Sequence, residues 1–91
     1  DLRTTVDVDM FTLMLGGKIR VAMLDTKQIT LTLPANTQNG RTFRLRGQGM
    51  PQLRNASQRG DLLVKVQALL PTTLSEEQRE LVIALRESVQ T

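Results

Sequence analysis

The chain has 91 residues, of which 40% are hydrophobic and 23% are charged, and its formal net charge is +3. A chain of this size forms one small domain, because it buries only about 60% of the surface that its unfolded form exposes. It contains neither cysteine nor histidine, which excludes disulfides, thiolate nucleophiles, imidazole bases and the usual zinc ligands. We therefore expect a protein that is not an enzyme and that uses no cofactor or metal.

The positive charge raises the alternative of a nucleic-acid partner. Phe11 and Phe43 are the only aromatic residues, and the basic residues are scattered along the chain. Single-strand binding needs several stacking platforms, so nucleic acid is disfavoured as a partner. No apolar run approaches the roughly 20 residues that span a bilayer, and the start at Asp1 shows no signal peptide. We expect a piece of a longer cytoplasmic protein without a membrane partner.

Alternating apolar and polar residues predict a first strand over Thr4–Asp9, with Val6 and Val8 on one face. The next segment, Met10–Leu15, is apolar at helical spacing and is followed by Gly16-Gly17. Glycine frequently ends helices because it adopts positive φ without strain. This segment is therefore predicted to be a short helix.

The segments Lys18–Leu24 and Lys27–Leu33 alternate in the same way and flank Asp25-Thr26. An aspartate at such a position favours a turn, so the sequence predicts an antiparallel hairpin. Pro34 ends the second strand, because proline cannot donate a hydrogen bond to a central ladder. The polar connection that follows ends in Asn39-Gly40, which predicts a turn.

Two more strands are predicted, over Thr42–Arg46 and Asp61–Leu69. Both ends of the last strand are apolar on both faces, which is typical of a central strand. Between the two, the glycines of 47–51 indicate a bend and not a phosphate-binding loop, since no helix follows them. The polar stretch Gln52–Gly60 is predicted to be a mobile loop.

A carboxy-terminal helix of about four turns is predicted after Pro71. Ser75 and Gln78 form a capping-box pattern, and the glutamates between them suit the positive end of the helix dipole. Its apolar residues fall on one stripe: Leu74, Leu81, Leu85 and Val89, with Val82 beside them. The predicted fold is thus mainly β, with five strands, one short helix and a carboxy-terminal amphipathic helix.

Six short phrases stand in a fixed order along the chain. They are Asp1-Leu2, Leu15-Gly16-Gly17-Lys18, Leu33-Pro34-Ala35-Asn36-Thr37-Gln38-Asn39-Gly40, Leu45-Arg46-Gly47-Gln48-Gly49-Met50-Pro51, Arg59-Gly60-Asp61-Leu62-Leu63-Val64-Lys65-Val66 and Leu74-Ser75-Glu76-Glu77-Gln78. In this order and spacing, the phrases resemble the second carboxy-terminal domain of DnaJ-type co-chaperones. The chain departs from the family where Ala35-Asn36 replaces Pro-Gly and where Gln48 replaces lysine. Asparagine tolerates the left-handed conformation that glycine supplies.

The resemblance implies a small distorted β-sandwich over residues 1–71, followed at 72–91 by a helix that begins a dimerisation segment. It also implies a non-catalytic co-chaperone module that binds or positions unfolded client protein for a DnaK-type ATP-driven chaperone. In that family the ATPase-stimulating J-domain carries a His-Pro-Asp motif, which this chain cannot contain because it has no histidine. The resemblance therefore implies that the DnaK-type chaperone is engaged through other domains of the parent protein. A homodimer is a further implied partner. The alternative is a basic DNA-binding β-module of a DnaJ relative.

Met10, Phe11 and Met14 are candidates for client contact, since methionine and phenylalanine suit promiscuous apolar binding. The competing interpretation is that they fill the core beneath the sheet. On the terminal helix, Leu81, Val82, Leu85 and Val89 are candidates for docking, either on the domain's own sheet or on a second subunit. Arg44, Arg46, Arg54 and Arg59 could meet an acidic partner, or they could form a solvated face.

Overall fold

The structure is a computed structural model that describes residues 2–22, 28–45, 51–52 and 55–90. Of 51–52 and 55–59 it describes only the backbone. In chain order the elements are β1 (Leu2–Asp9), α1 (Met10–Leu15), β2 (Gly17–Ala22), β3 (Gln28–Leu33), β4 (Thr42–Leu45), β5 (Pro51–Gln52), β6 (Asn55–Arg59), β7 (Leu62–Leu69) and α2 (Glu76–Gln90). The predicted mainly-β fold, with a short helix and a carboxy-terminal helix, is confirmed.

Strand β7 is the centre of a three-stranded sheet in which β1 lies on one side and β4 on the other. The pairing of β1 with β7 is parallel and runs without a shift from Leu2 opposite Leu62 to Asp9 opposite Leu69. The pairing of β4 with β7 is antiparallel. The central position predicted for the last strand is therefore confirmed.

The predicted hairpin is also confirmed, since β2 and β3 form an antiparallel pair from Gly17 opposite Leu33 to Ala22 opposite Gln28. The predicted turn at Asp25-Thr26 lies outside the described residues. Apolar side chains from the β1–β7–β4 sheet, from the β2–β3 pair and from α1 meet in one core, which also confirms the sandwich arrangement. Its buried members are Val8, Leu13, Val21, Leu31, Leu33, Leu62, Val64 and Val66.

The prediction of a loop over Gln52–Gly60 was wrong. Residues Pro51–Gln52 and Asn55–Arg59 form the antiparallel strand pair β5–β6, with an irregular register at its start. Proline is tolerated as the first residue of a strand, and backbone hydrogen bonds pair strands whatever their side chains. The glycines at 47 and 49 lie outside the described residues.

The connection between β3 and β4 fastens α1 to the sheet. The backbone N–H of Asn36 donates to the Met14 carbonyl (3.0 Å) and that of Thr37 to the Leu13 carbonyl (2.8 Å). The Thr37 hydroxyl donates to the Pro34 carbonyl (2.6 Å). Asn36 has a φ of 62°, so it adopts the left-handed conformation expected where the family has glycine. The predicted turn at Asn39-Gly40 is also present.

Helix α2 begins with the predicted capping box. The Gln78 backbone N–H donates to Ser75 Oγ (3.1 Å), and the Ser75 N–H donates to Gln78 Oε1 (2.9 Å). None of the helix's side chains is buried. The molecule measures 57 × 25 × 16 Å, so α2 extends from the sandwich and is not part of its core.

Candidate functional site

Helix α1 is short and is held at both ends. At its start, the Asp9 carboxylate accepts hydrogen bonds from the Thr12 backbone N–H (2.9 Å) and the Thr12 hydroxyl (2.6 Å). At its end, Gly16 has a φ of 85° and its N–H donates to the Thr12 carbonyl (2.8 Å). With the chain direction set at both ends, the orientation of each α1 side chain is fixed.

That orientation directs only Leu13 into the core, where it is 3% exposed. Phe11 and Met14 are 42% and 38% exposed, and Met10 is half-buried. The interpretation that these residues fill the core therefore fails for Phe11 and Met14. Both are accessible, as a client-contact role requires, but accessibility does not itself assign that role.

The apolar stripe of α2 is exposed as well. Leu81, Val82, Leu85 and Val89 are 65%, 38%, 49% and 75% exposed. Docking of this stripe against the domain's own sheet would have buried it. The structure contradicts docking on the domain's own sheet, and docking on a second subunit stays a prediction.

One residue of α1 and four of α2 line a shallow groove. Its volume is about 270 Å³, which is smaller than the roughly 300–1,000 Å³ of small-molecule pockets. Its walls are mostly apolar side chains: Phe11, Pro71, Thr73, Leu74, Gln78, Leu81, Val82 and Leu85. We call this surface the Phe11–α2 groove.

The groove combines residues that the sequence placed in two separate predictions. Phe11 was a candidate for client contact, whereas Leu81, Val82 and Leu85 were candidates for docking. Met10, Met14 and Val89 do not line it. Pro71 and Thr73 were missed, although their position next to the helix start was a signal that the chain turns there.

The predicted arginine cluster is only partly described. Arg44 Nε lies 2.7 Å from Asp61 Oδ2, so its charge is offset by a carboxylate. The guanidinium of Arg41 lies 4.7 Å from the centre of the Phe43 ring, within the range of a cation–π contact. Arg46 and Arg54 lie outside the described residues. Of Arg59 only the backbone is described. Within the predicted cluster, the one side chain that the structure describes, that of Arg44, is thus paired with a carboxylate.

Two other kinds of site find no support in the part of the chain that the structure describes. Among the residues that it describes, no three acidic side chains come together as a metal site. Neither of the two helices described is long and apolar enough to cross a membrane. The Phe11–α2 groove is therefore the main candidate for a binding surface.

Comparison with known proteins identifies the family of the chain. Residues 1–71 match the model described as the DnaJ C terminal domain. Similar curated proteins, each named chaperone protein DnaJ, come from Bartonella henselae (46% identical), Agrobacterium fabrum (48%) and Sinorhizobium medicae (47%). Each match extends over 81 residues and covers 89% of this chain but 21% of the relative. The chain spans about a fifth of the length of the curated relatives it matches. Since the family model spans residues 1–71 of 91, the chain belongs to the DnaJ C-terminal domain family.

Proposed function

We propose that this chain is a non-catalytic co-chaperone module that binds apolar segments of unfolded client proteins. One observation carries the proposal: the Phe11–α2 groove exposes apolar side chains from two elements that the fold leaves uncovered. Exposed apolar surfaces of this kind usually mark binding sites. The family and the name of its relatives, chaperone protein DnaJ, point in the same direction.

The groove suits short and varied apolar segments better than one specific ligand. It is shallow, its apolar walls are bordered by Thr73 and Gln78, and it offers no charged side chain to fix a ligand's orientation. Burial of one or two large apolar side chains there would contribute about 1.5–3 kcal/mol each. Affinity would be weak and reversible, as the release of a client requires.

The proposal is tested by the aggregation of a chemically denatured protein with and without the chain. Phe11→Ala and Leu85→Ala remove apolar area from opposite walls of the groove. We expect each to weaken protection roughly 5- to 30-fold, because about 1–2 kcal/mol of contact is lost. Leu15→Ala and Val89→Ala are matched controls, since both residues are more exposed and neither lines the groove. Equal losses for all four variants would argue against the groove, and no protection by the unmodified chain would refute client binding.

We propose further that the bound client is passed to a DnaK-type ATP-driven chaperone. This chain has no histidine, so it cannot contain the His-Pro-Asp motif through which the family stimulates that ATPase. Delivery would then depend on other domains of the parent protein. We expect the chain to leave the ATPase rate of such a chaperone unchanged. A stimulated ATPase rate would contradict the proposal that delivery depends on other domains.

The homodimer predicted from Leu81, Val82, Leu85 and Val89 is also kept as a proposal. Three of these residues line the groove, so a second subunit and a client would compete for the same surface. Sedimentation over a range of chain concentrations tests the pairing. If the chain dimerises, Leu81→Ser should raise the dissociation constant and free the groove, whereas a monomer at all concentrations would refute it.

A further inference from the structure

Residues 39–41, which precede β4, cover the part of β7 that β4 does not reach. β4 pairs only with the first half of β7. Beyond that half, the Gly40 N–H donates to the Val66 carbonyl (2.9 Å). The Ala68 N–H donates to Asn39 Oδ1 (2.8 Å). A side-chain amide thus takes the place of a backbone carbonyl of a neighbouring strand.

Asn39 and Gly40 are also a pair of residues that can react with each other. The backbone nitrogen of the residue after an asparagine can attack the side-chain Cγ, which closes a succinimide ring and releases ammonia. Water then opens the ring at one of its two carbonyls and leaves aspartate or isoaspartate. Glycine hinders this attack least, because it has no Cβ beside the nitrogen. Asparagine is accordingly one of the thermolabile residues of proteins.

Sequence and exposure alone would predict that Asn39 is reactive. Its side chain is exposed, and it is the one asparagine of the chain that precedes a glycine. Asn36 precedes Thr37, and Asn55 precedes Ala56. The contacts that Asn39 makes in the folded chain change this prediction.

Both of the groups that must react are engaged in hydrogen bonds. The Gly40 nitrogen attacks only after it has lost its proton, and that proton lies in the bond to the Val66 carbonyl. Deprotonation would set the nitrogen lone pair against the carbonyl oxygen and so replace an attraction with a repulsion. The bond from Ala68 draws electrons from the Asn39 Cγ, which favours attack, but it also holds the side chain in one orientation. Since no attack occurs without the deprotonated nitrogen, the Gly40 bond dominates and the folded chain is protected.

Release of residues 39–41 from β7 frees both groups together. Three hydrogen bonds hold the segment, the third running from the Val66 N–H to the Arg41 carbonyl (3.0 Å). All three end on Val66 or Ala68. A segment with so few bonds and with exposed side chains opens at a lower free energy than the core. Local opening is therefore sufficient to start the reaction, without unfolding of the sandwich.

The isoaspartate product cannot restore the folded arrangement. In isoaspartate the former side-chain carbonyl is bonded to the Gly40 nitrogen, so both groups belong to one peptide unit. The C=O and the N–H of a trans peptide point in opposite directions. In the folded chain, however, Asn39 Oδ1 and the Gly40 N–H both point toward β7. At least one of the two hydrogen bonds is lost in isoaspartate, whereas the aspartate product can keep both.

We propose that Asn39 is a deamidation site that the fold protects and that reacts when residues 39–41 leave β7. Each event consumes one water and releases one ammonia, and isoaspartate formation makes the opening permanent. The amount of isoaspartate therefore reports how long a chain has spent with this edge of the sheet open. The proposal is independent of client binding.

The first experiment measures deamidation at neutral pH by mass spectrometry of the digested chain. The chain is incubated folded in buffer and unfolded in urea, and a synthetic peptide with the sequence of residues 36–42 corrects for the effect of urea on the chemistry. We expect Asn39 to react at least about tenfold more slowly in the folded chain, because three hydrogen bonds must break first. In the unfolded chain Asn36 should react more slowly than Asn39, since threonine follows it. Equal rates for Asn39 in the folded and unfolded chains would overturn the proposal.

The second experiment separates local opening from unfolding of the whole domain. Thr42→Gly weakens β4 beside the segment, and Thr32→Gly makes the same change on β3 in the other sheet. Both threonines are exposed strand residues, and urea unfolding checks that the two variants lose similar stability. We expect Thr42→Gly to speed deamidation in buffer about two- to fivefold more than Thr32→Gly does, which is the effect of one glycine in a strand. Equal acceleration would mean that global unfolding controls the reaction and would refute the local opening.

The third experiment follows the product by hydrogen exchange. The isoaspartate form is separated by chromatography after reaction in urea and is then refolded. Asn39→Asp is the matched control, because it has the same charge and an unaltered backbone. We expect the amide of Gly40 or of Ala68 to exchange at least about fivefold faster in the isoaspartate form. If both amides were as protected as they are in Asn39→Asp, the permanent opening would be wrong.

Discussion

At the scale of single residues, Gly16 leaves no room for a side chain. Its φ is +85°, and a Cβ built on it would lie 3.0 Å from both the Ala35 nitrogen and the Leu33 carbonyl oxygen. Both are backbone atoms of the segment that fastens α1, so they cannot move away independently. A positive φ also strains any residue with a Cβ.

We expect Gly16→Ala to lower the free energy of unfolding by about 2–3 kcal/mol, from strain and close contact together. Gly40→Ala is the matched control, because Gly40 has a φ of +89° but only the flexible Cε of Lys65 within 4.0 Å. Its loss should be about 1–2 kcal/mol, from strain alone. Urea unfolding of both variants measures the difference, and equal losses would mean that the contact with the β3–β4 connection is unimportant.

Asp9 links the stability of α1 to pH. The hydroxyl and the backbone N–H of Thr12 both donate to its carboxylate and hold its pKa below the ordinary value of 3.8. A carboxylate with a lowered folded-state pKa stabilises the fold fully above its unfolded pKa, and this contribution is lost as the pH falls through the folded value.

Asp9→Asn removes this dependence while keeping an acceptor for the Thr12 N–H. We expect the unmodified chain to be the more stable one at pH 7 and the two unfolding free energies to converge as the pH falls below 3.8. Chemical denaturation between pH 2 and 7 gives both curves, roughly spanning the carboxyl range. Curves that stay parallel would show that the cap does not depend on charge.

At the scale of elements, the sequence predicted the strands whose side chains alternate between the core and the solvent. β1, β2, β3, β4 and β7 alternate apolar and polar residues because one face of each meets the core. β6 reads Asn-Ala-Ser-Gln-Arg and offers no such pattern, so its pairing with β5 was missed. The structure describes that pair by its backbone register, and a hydropathy pattern carries no information about backbone hydrogen bonds.

The candidate site was predictable in its parts and not as a whole. Phe11 and the α2 stripe each stood out from their spacing and residue type. Their meeting depends on the path of residues 70–75 between β7 and α2, which no periodicity describes.

Helix α2 should behave as a separate element, since none of its side chains is buried. Ser75→Ala removes the acceptor for the Gln78 N–H, 3.1 Å away, and should cost the helix about 1 kcal/mol. We expect a weaker helical signal in circular dichroism and faster hydrogen exchange in its first turn, with no change in melting of the β core. Ser75→Asn retains a cap and serves as the control. A lower melting temperature for the core would show that α2 supports the sandwich.

At the scale of the whole molecule, the chain is more extended than a compact domain. Its radius of gyration is 17.2 Å, whereas a compact chain of this length has about 12 Å. We expect X-ray scattering at low concentration to give a value near 17 Å. A value near 12 Å would mean that α2 folds back onto the sandwich and that the Phe11–α2 groove is closed.

Removal of residues 72–91 tests the predicted division of the chain. No α2 side chain belongs to the core, so residues 1–71 should fold with an unfolding free energy within about 0.5 kcal/mol of the whole chain. The groove would lose one wall, and protection of a denatured protein should fall with it. A truncated chain that fails to fold would place the domain boundary beyond residue 71.

The parallel pairing of β1 with β7 also sets the order of events during synthesis. Leu2 pairs with Leu62, so the first strand emerges from the ribosome sixty residues before its partner. At roughly 5–20 residues per second, β1 waits about 3–12 s with both of its edges unpaired. During that time the module, which we expect to bind unfolded chains, is itself unfolded. Its first strand can then pair with any extended segment nearby. Non-local pairing of this kind is slow to form, so translation rate should influence how much of the newly made protein reaches the folded state.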